Sequence, residues 1–315
     1  RQFVAFGLYL SNLTWPLIAL GWVTNLFQRG EASMARLNEI FDATPSVTTP
    51  STPGALPPTT GGRAIEFRNV SFSYTGREVL HDISFTIPAG GTLGVVGATG
   101  SGKSALLELM ARLYDPTSGT VLMDGIPLAT LSLDALRAEI GFVPQESLLF
   151  SDTIGSNLGY GLRAAHGAPS VDTGAQTAWA AAIAQLADTI AEWPTAYETM
   201  LGERGINLSG GQKQRAAMAR ALARRPSIVV LDDALSAVDT HTEAAILRGL
   251  REALSGRTAV IASHRITAIR EASHIIVLDD GRIVERGTHD DLMALQGRYW
   301  ALLRRQQLEE AVEAA

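Results

Sequence analysis

The sequence predicts an α/β fold, a largely parallel sheet covered by helices on both faces, preceded by one membrane-spanning helix. Three observations carry this reading. From about Arg63, short apolar runs (IEFRNVSFSY, TLGVVG, IGFVPQ, SIVVLDD, TAVIAS) alternate with stretches of helical spacing, as strands buried by crossover helices do. One of those runs leads into GATGSGKS and then a helical pattern, the strand–loop–helix context of a phosphate-binding loop. Residues 3–27 carry no charge, and about 25 residues at roughly 1.5 Å each exceed a hydrocarbon core of roughly 30 Å.

The N-terminal stretch comes first. Trp15, Trp22, Pro16 and scattered Ser, Asn and Thr suit a membrane helix packed against others. A signal peptide is the rival, but it would be shorter and carry a small-residue cleavage site. One helix cannot make a pathway, so the chain reads as the C-terminal piece of a longer membrane protein. LFQRGEASMARLNEIFDA continues the helical pattern, with Arg29 and Arg36 on the cytoplasmic side. The Pro/Thr-rich ATPSVTTPSTPGALPPTTGG then reads as an extended linker. The expected division is a membrane helix and its extension over 1–42, a linker over 43–62, a nucleotide-binding domain over 63–305 and a tail over 306–315. Between Ser156 and Ala223 only helical patterns occur, which predicts a helical insertion over about 146–222.

Composition narrows the function. The 315 residues are 46% hydrophobic, enough to fill a sizeable core. A net charge of −6 without a basic block argues against a nucleic-acid partner. With no cysteine, disulfides, thiolate catalysis and Cys-based zinc sites are excluded.

The loop Gly97–Ser104 carries the chemistry of phosphate binding. Gly97, Gly100 and Gly102, with Ala98, Thr99 and Ser101 between them, let backbone amides converge on phosphate oxygens at a helix N-terminus. Lys103 is placed to reach β- and γ-phosphates, and Ser104 to ligate Mg²⁺. Such a loop needs a second, acidic strand end for the metal, and Asp232 closes the apolar strand IVVLD as that role requires. The similar IIVLDD ends in Asp279-Asp280-Gly281 before a second β-branched run, which predicts a hairpin turn at the periphery.

Downstream the chain reads GERGINLSGGQKQRAAMARAL from Gly202. Here it closely resembles the ATP-binding-cassette (ABC) transporters, in particular exporter half-transporters, and the resemblance covers essentially the whole chain. It implies a P-loop NTPase domain with a helical subdomain, binding ATP and Mg²⁺. Ser209, Gly210, Gly211 and Gln212 of LSGGQ would face the γ-phosphate held by the opposite subunit, again at a helix N-terminus. By the same resemblance Tyr74 stacks on adenine, Gln145 senses Mg²⁺ and the γ-phosphate, and His264 contacts the γ-phosphate. Glu203 contacts the partner's membrane domain, and Asp239 lies in the loop that crosses the dimer interface.

One departure stands out. The family's general base is normally a glutamate directly after the metal aspartate, and this chain has Asp233, one methylene shorter and so farther from an attacking water. The resemblance then implies a degenerate ATP site contributed to a heterodimer, with a homodimer using Asp233 as base, or a mainly regulatory half, as alternatives. The partners it implies are a second half-transporter, a lipid bilayer and a transported small molecule or lipid. The expected location is the cell membrane with the nucleotide-binding domain in the cytoplasm. A soluble ABC ATPase shares the motifs but has no use for the uncharged N-terminal stretch. In exporters the membrane domains set the substrate, so lipid, peptide, drug and siderophore all stay open.

Overall fold

In the computed structural model, which describes residues 2–163 and 173–313, the chain divides into two units, Arg1–Ser46 and Val47–Ala315. The first is built on one helix, α1 (Gln2–Phe41), 40 residues long with Pro16 inside it and no buried side chain. It is long and apolar enough to cross a membrane, with a mean hydropathy of 1.5 over its most apolar window. The hydroxyls of Thr14 and Thr24 donate back to the carbonyls of Leu10 and Leu20 at 3.3 and 2.8 Å, satisfying these polar groups within the helix itself.

The second unit contains two sheets. Strands β1 (Ile65–Tyr74), β2 (Arg77–Ile87), β3 (Thr92–Gly97), β4 (Ser118–Met123), β5 (Ile126–Pro127), β6 (Ile140–Val143), β7 (Ile228–Asp232), β8 (Thr258–Ala262), β9 (His274–Asp279) and β10 (Arg282–Gly287) follow in chain order. The larger sheet runs β10-β9-β3-β8-β7-β6. All its neighbours are parallel except β10, which folds back antiparallel on β9.

One sequence expectation is corrected here. IEFRNVSFSY does not join the parallel sheet. As β1 it lies in a separate four-stranded sheet, β2-β1-β4-β5, paired antiparallel with β2 and β4. Only Thr75 and Gly76, both at positive φ, separate β1 from β2, and so short a connection permits only an antiparallel neighbour. The Asp280-Gly281 hairpin forms at the periphery as expected, with φ of 44° and 70° and β10 as the edge strand of the large sheet. The strand leading into it pairs with β3, so that Leu278 sits opposite Gly97, and the Gly281 amide donates to the Ser101 carbonyl at 3.2 Å.

Helices cover both faces of the large sheet. On one face α2 (Lys103–Met110) buries Leu106, Leu107 and Leu109 against sheet residues and the aromatic pair Phe67 and Phe85 of the smaller sheet. On the other, helices Thr173–Ile183 and Gly210–Ala223 bury Ala180, Ala181, Met218 and Leu222 beside Val229 and Leu231. Between β6 and β7 the described residues form helices and one isolated bridge, Thr153 with Met200, but no strand. Positions 164–172 of the expected insertion, and 314–315 of the expected tail, lie outside the described residues.

Polar stitching joins the pieces. Arg63, only 2% exposed, donates to Asp124 at 2.7 Å, to Glu139 at 3.0 Å and to the Pro57 carbonyl at 2.9 Å. Thr258 in turn donates to the Arg63 carbonyl, and Ser227 to Glu139, both at 2.6 Å. The Pro/Thr-rich segment is therefore fastened down from Val47 onward: Gly54 donates to Thr130 at 2.8 Å, and Arg112 reaches the Thr48 carbonyl at 3.1 Å.

Candidate functional site

The carboxyl ends of β3, β7 and β8 lie side by side, and parallel α/β sheets place ligands at such strand ends. From β3 the chain turns through Ala98–Ser101 into α2. A Cβ on Gly97 would overlap the Leu278 carbonyl and Ser101 Oγ, and Gly102 caps α2 at φ 101° with Leu80 packed against it. These two positions require glycine, the first for space and the second for its left-handed backbone. Within the loop the Ser101 amide donates to the Ala98 carbonyl at 3.1 Å. Inside it Ser101 Oγ is buried with no hydrogen-bond partner, an exception in a folded interior.

Lys103, the first residue of α2, curls back so that Nζ donates to the Gly97 and Ala98 carbonyls at 2.8 and 3.0 Å. Burial pushes its ammonium below the ordinary range, with Asp233 and Asp232 pulling the other way. Ser104 lies beside Asp232, which ends β7 opposite Ala262 of β8. Burial, reinforced by Asp233 and Glu108, raises the Asp232 carboxyl above its usual value, while Ser104 and Lys103 partly offset it.

Asp233 follows at φ 47°. Its amide donates to the Ala262 carbonyl at 2.9 Å, and its carboxylate meets Nδ1 of half-exposed His264 at 2.7 Å. Gln145 is exposed two residues beyond β6, whose last residue Val143 pairs with Leu231. Lys103, Ser104, Asp232, Asp233 and His264 therefore gather at one point, with Gln145 beyond the neighbouring strand end.

Tyr74 closes β1. Its hydroxyl bonds Glu108 of α2, and its ring meets Phe72 and Tyr114 edge-on at 4.7 and 5.2 Å. Ser209 and Gln212 form a reciprocal capping box at the start of helix Gly210–Ala223, with bonds of 3.2 and 3.0 Å. Gly211 packs so closely on Ala237 that a Cβ there would come within 2.7 Å of its carbonyl oxygen. Among the described residues no hydrogen bond joins Ser209–Gln212 to the phosphate loop. Asp239 caps helix Thr240–Ala253 by accepting from Thr242 at 2.9 Å, and that bond lowers its carboxyl below the usual range. Glu203 lies exposed in a short 3₁₀ turn, Glu203–Gly205.

Sequence reasoning missed three polar residues. Buried Gln214 bonds Ser236 Oγ at 2.9 Å and accepts from the Ala237 amide at 3.0 Å, tying the LSGGQ helix to the loop after Asp233. Arg265 bonds buried Glu243 at 2.7 Å and the carbonyls of Val238 and Ser236 at 3.3 and 3.2 Å. Glu108 is the third. Each partner is remote in the sequence, and only adjacency to a motif, Gln214 beside LSGGQ and Arg265 beside His264, marked two of them.

The residues 80–236 match the ABC transporter family. Over 314 residues the chain is 43% identical to the probable multidrug resistance ABC transporter ATP-binding/permease protein YheI of Bacillus subtilis, covering 99% of this chain and 52% of that protein. It is 40% identical to the multidrug resistance-like ATP-binding protein MdlA of Escherichia coli, covering 100% of this chain and 52% of that protein. The solved structure of a bacterial Atm1-family ABC exporter with ATP bound superposes with a TM-score of 0.80 at 40% identity, covering 95% of this chain and 51% of that one. The chain thus spans about half the length of the curated relatives it matches. Likeness on this scale in sequence and fold, over nearly every residue present here, makes the chain a member of the ABC transporter family.

Proposed function

We propose that the chain binds MgATP at the phosphate loop and drives export across a membrane by its binding and hydrolysis. The observation that carries this is the meeting of Ser104 and Asp232, from α2 and β7, beside Lys103 and a glycine-built loop. The residues present fit Mg²⁺. No group of three or more His, Cys, Asp or Glu suited to a metal occurs among the described residues, but Mg²⁺ at phosphates is usually held by one or two carboxylates with the phosphates themselves. Ser104 and Asp232 would hold it, and the ion would neutralise charge developing on the phosphate oxygens.

This chain's own residues do the rest. Lys103 exchanges its two carbonyl acceptors for phosphate oxygens, and the loop amides orient the chain of phosphates. Asp233 stands where a water must be activated, held by His264. Ser209–Gln212 present the positive end of their helix to a nucleotide on another subunit. Gln145 reports the metal and γ-phosphate to the neighbouring helices, and Tyr74 receives the adenine. Residues 1–42 form part of a membrane domain, with 63–305 as the nucleotide-binding domain on the cytoplasmic side and 43–62 as their linker.

The partner is a second half-transporter. We favour a heterodimer in which Asp233 makes this site slow, because its carboxylate is one methylene short. The homodimeric reading draws on the 2.7 Å bond to His264, which would orient Asp233 as a working base. Steady-state ATP hydrolysis by the purified chain, alone and with its partner, decides: hydrolysis only with the partner is expected, and full activity alone overturns the heterodimer.

A further inference from the structure

Tyr74 and Glu108 come from different layers. Tyr74 is the last residue of β1 in the smaller sheet, and Glu108 lies on α2, four positions after Ser104 and five after Lys103. One helix thus carries the lysine and serine assigned to the phosphates at its N-terminus, and about one turn later the carboxylate that accepts from the tyrosine hydroxyl. The ring also meets Phe72 and Tyr114 edge-on, at interplanar angles of 80° and 87°. Burial first, and Glu108 second, raise the phenol above its ordinary range, so the hydroxyl keeps its proton and is the donor.

A tyrosine ring turns easily about its last side-chain bond, where the energy wells are broad. Stacking on a base depends on the plane the ring presents, and fixing that plane before binding avoids an ordering cost at the moment of binding. We propose that Glu108 is a positioning residue for the nucleotide base: by accepting from Tyr74 it sets the plane of the aromatic platform and locks that plane to the helix that begins at the phosphates. The proposal rests on the reading of Tyr74 as the adenine platform. It assigns Glu108 no contact with the phosphates, so its effect must depend on the base being present.

The test is equilibrium binding to the full chain of MgATP and of inorganic tripolyphosphate with Mg²⁺. Wild type is compared with Glu108→Ala, Glu108→Gln, Tyr74→Phe and the double variant Tyr74→Phe/Glu108→Ala. Loss of one hydrogen bond predicts an ATP Kd about threefold to tenfold higher in Glu108→Ala and in Tyr74→Phe, with no further loss in the double variant. Glu108→Gln, whose amide oxygen still accepts, restores most of the affinity, and tripolyphosphate binds all five proteins alike. Additive losses, or an unchanged ATP Kd in Glu108→Ala, overturn the proposal. So does equal weakening of ATP and tripolyphosphate, which would mean that Glu108 acts only by shaping α2. If wild type binds tripolyphosphate as tightly as ATP, the platform reading of Tyr74 fails, and the inference with it.

Discussion

His264 Nδ1 lies 2.7 Å from the Asp233 carboxylate. The pair is assembled across β7 and β8, because Asp233 follows the end of one strand and His264 stands two residues past the end of the other. An aspartate engaged in this way has one oxygen committed to the imidazole and a short reach with the other.

In Asp233→Asn the amide oxygen still accepts from His264, so the variant removes the base while keeping the contact. With the partner's site carrying turnover, the steady-state rate of the assembled pair should change by less than about twofold. If Asp233 is the working base, the loss should instead be about 10²–10⁴-fold, and ATPase assays on the reconstituted pair separate the two.

Lys103→Ala removes the ammonium that now rests on the Gly97 and Ala98 carbonyls. A charge-assisted bond to phosphate contributes about 1.5–3 kcal/mol, so ATP affinity should fall about 10- to 100-fold, as measured by nucleotide titration. Retained affinity would place the triphosphate elsewhere.

Asp232→Asn tests the metal position through stability. Because the folded state raises this carboxyl above its ordinary 3.8, its contribution is fully present below that value and is lost as pH rises through the folded pKa. At neutral pH the nucleotide-free Asn variant should therefore melt above wild type. Saturating MgATP at 100 times Kd should add about 2.7 kcal/mol to wild type and much less to the variant. A variant melting below wild type without nucleotide contradicts this account.

Ser209 serves its helix as well as the proposed interface. Ser209→Ala should cost about 1 kcal/mol through loss of the capping box, whereas Ser209→Asp keeps a good cap but sets a negative charge against the phosphate. Thermal melts should rank Asp near wild type and Ala below it, while both lose hydrolysis in the pair. Full activity of Ser209→Asp would remove Ser209 from the phosphate.

Arg63 and Glu139 give a pH-dependent fastening. Burial resists ionisation of Glu139, but bonds from Arg63 and Ser227 outweigh it and hold the carboxyl below its ordinary 4.5. The stabilisation is therefore present above that value and lost as pH falls through the folded pKa. Glu139→Gln should be less stable than wild type at pH 7 and should converge with it in acid. Arg63→Ala, which strands two carboxylates, should cost about 3–5 kcal/mol, read by denaturant unfolding.

Much of the site is legible in the sequence because it is local. The residues of GATGSGKS are contiguous, their glycines meet backbone constraints within a few positions, and the serine-to-glutamine spacing of LSGGQ is itself a capping box. The same holds for α1, whose length and lack of charge are properties of one uninterrupted stretch, and for the Asp280-Gly281 turn. Tertiary structure decided which strands become neighbours. An apolar run has the same composition in a parallel or an antiparallel sheet, and only the turn to β2 and the pairing with β4 assign β1 to the antiparallel one. A hairpin's own letters say nothing of the strand it lies beside, and crossover order set β9 against β3. The bonds from Tyr74 to Glu108, His264 to Asp233 and Arg63 to Glu139 span 34, 31 and 76 positions. No local periodicity encodes such pairs, because each exists only after two distant elements have packed on a shared core.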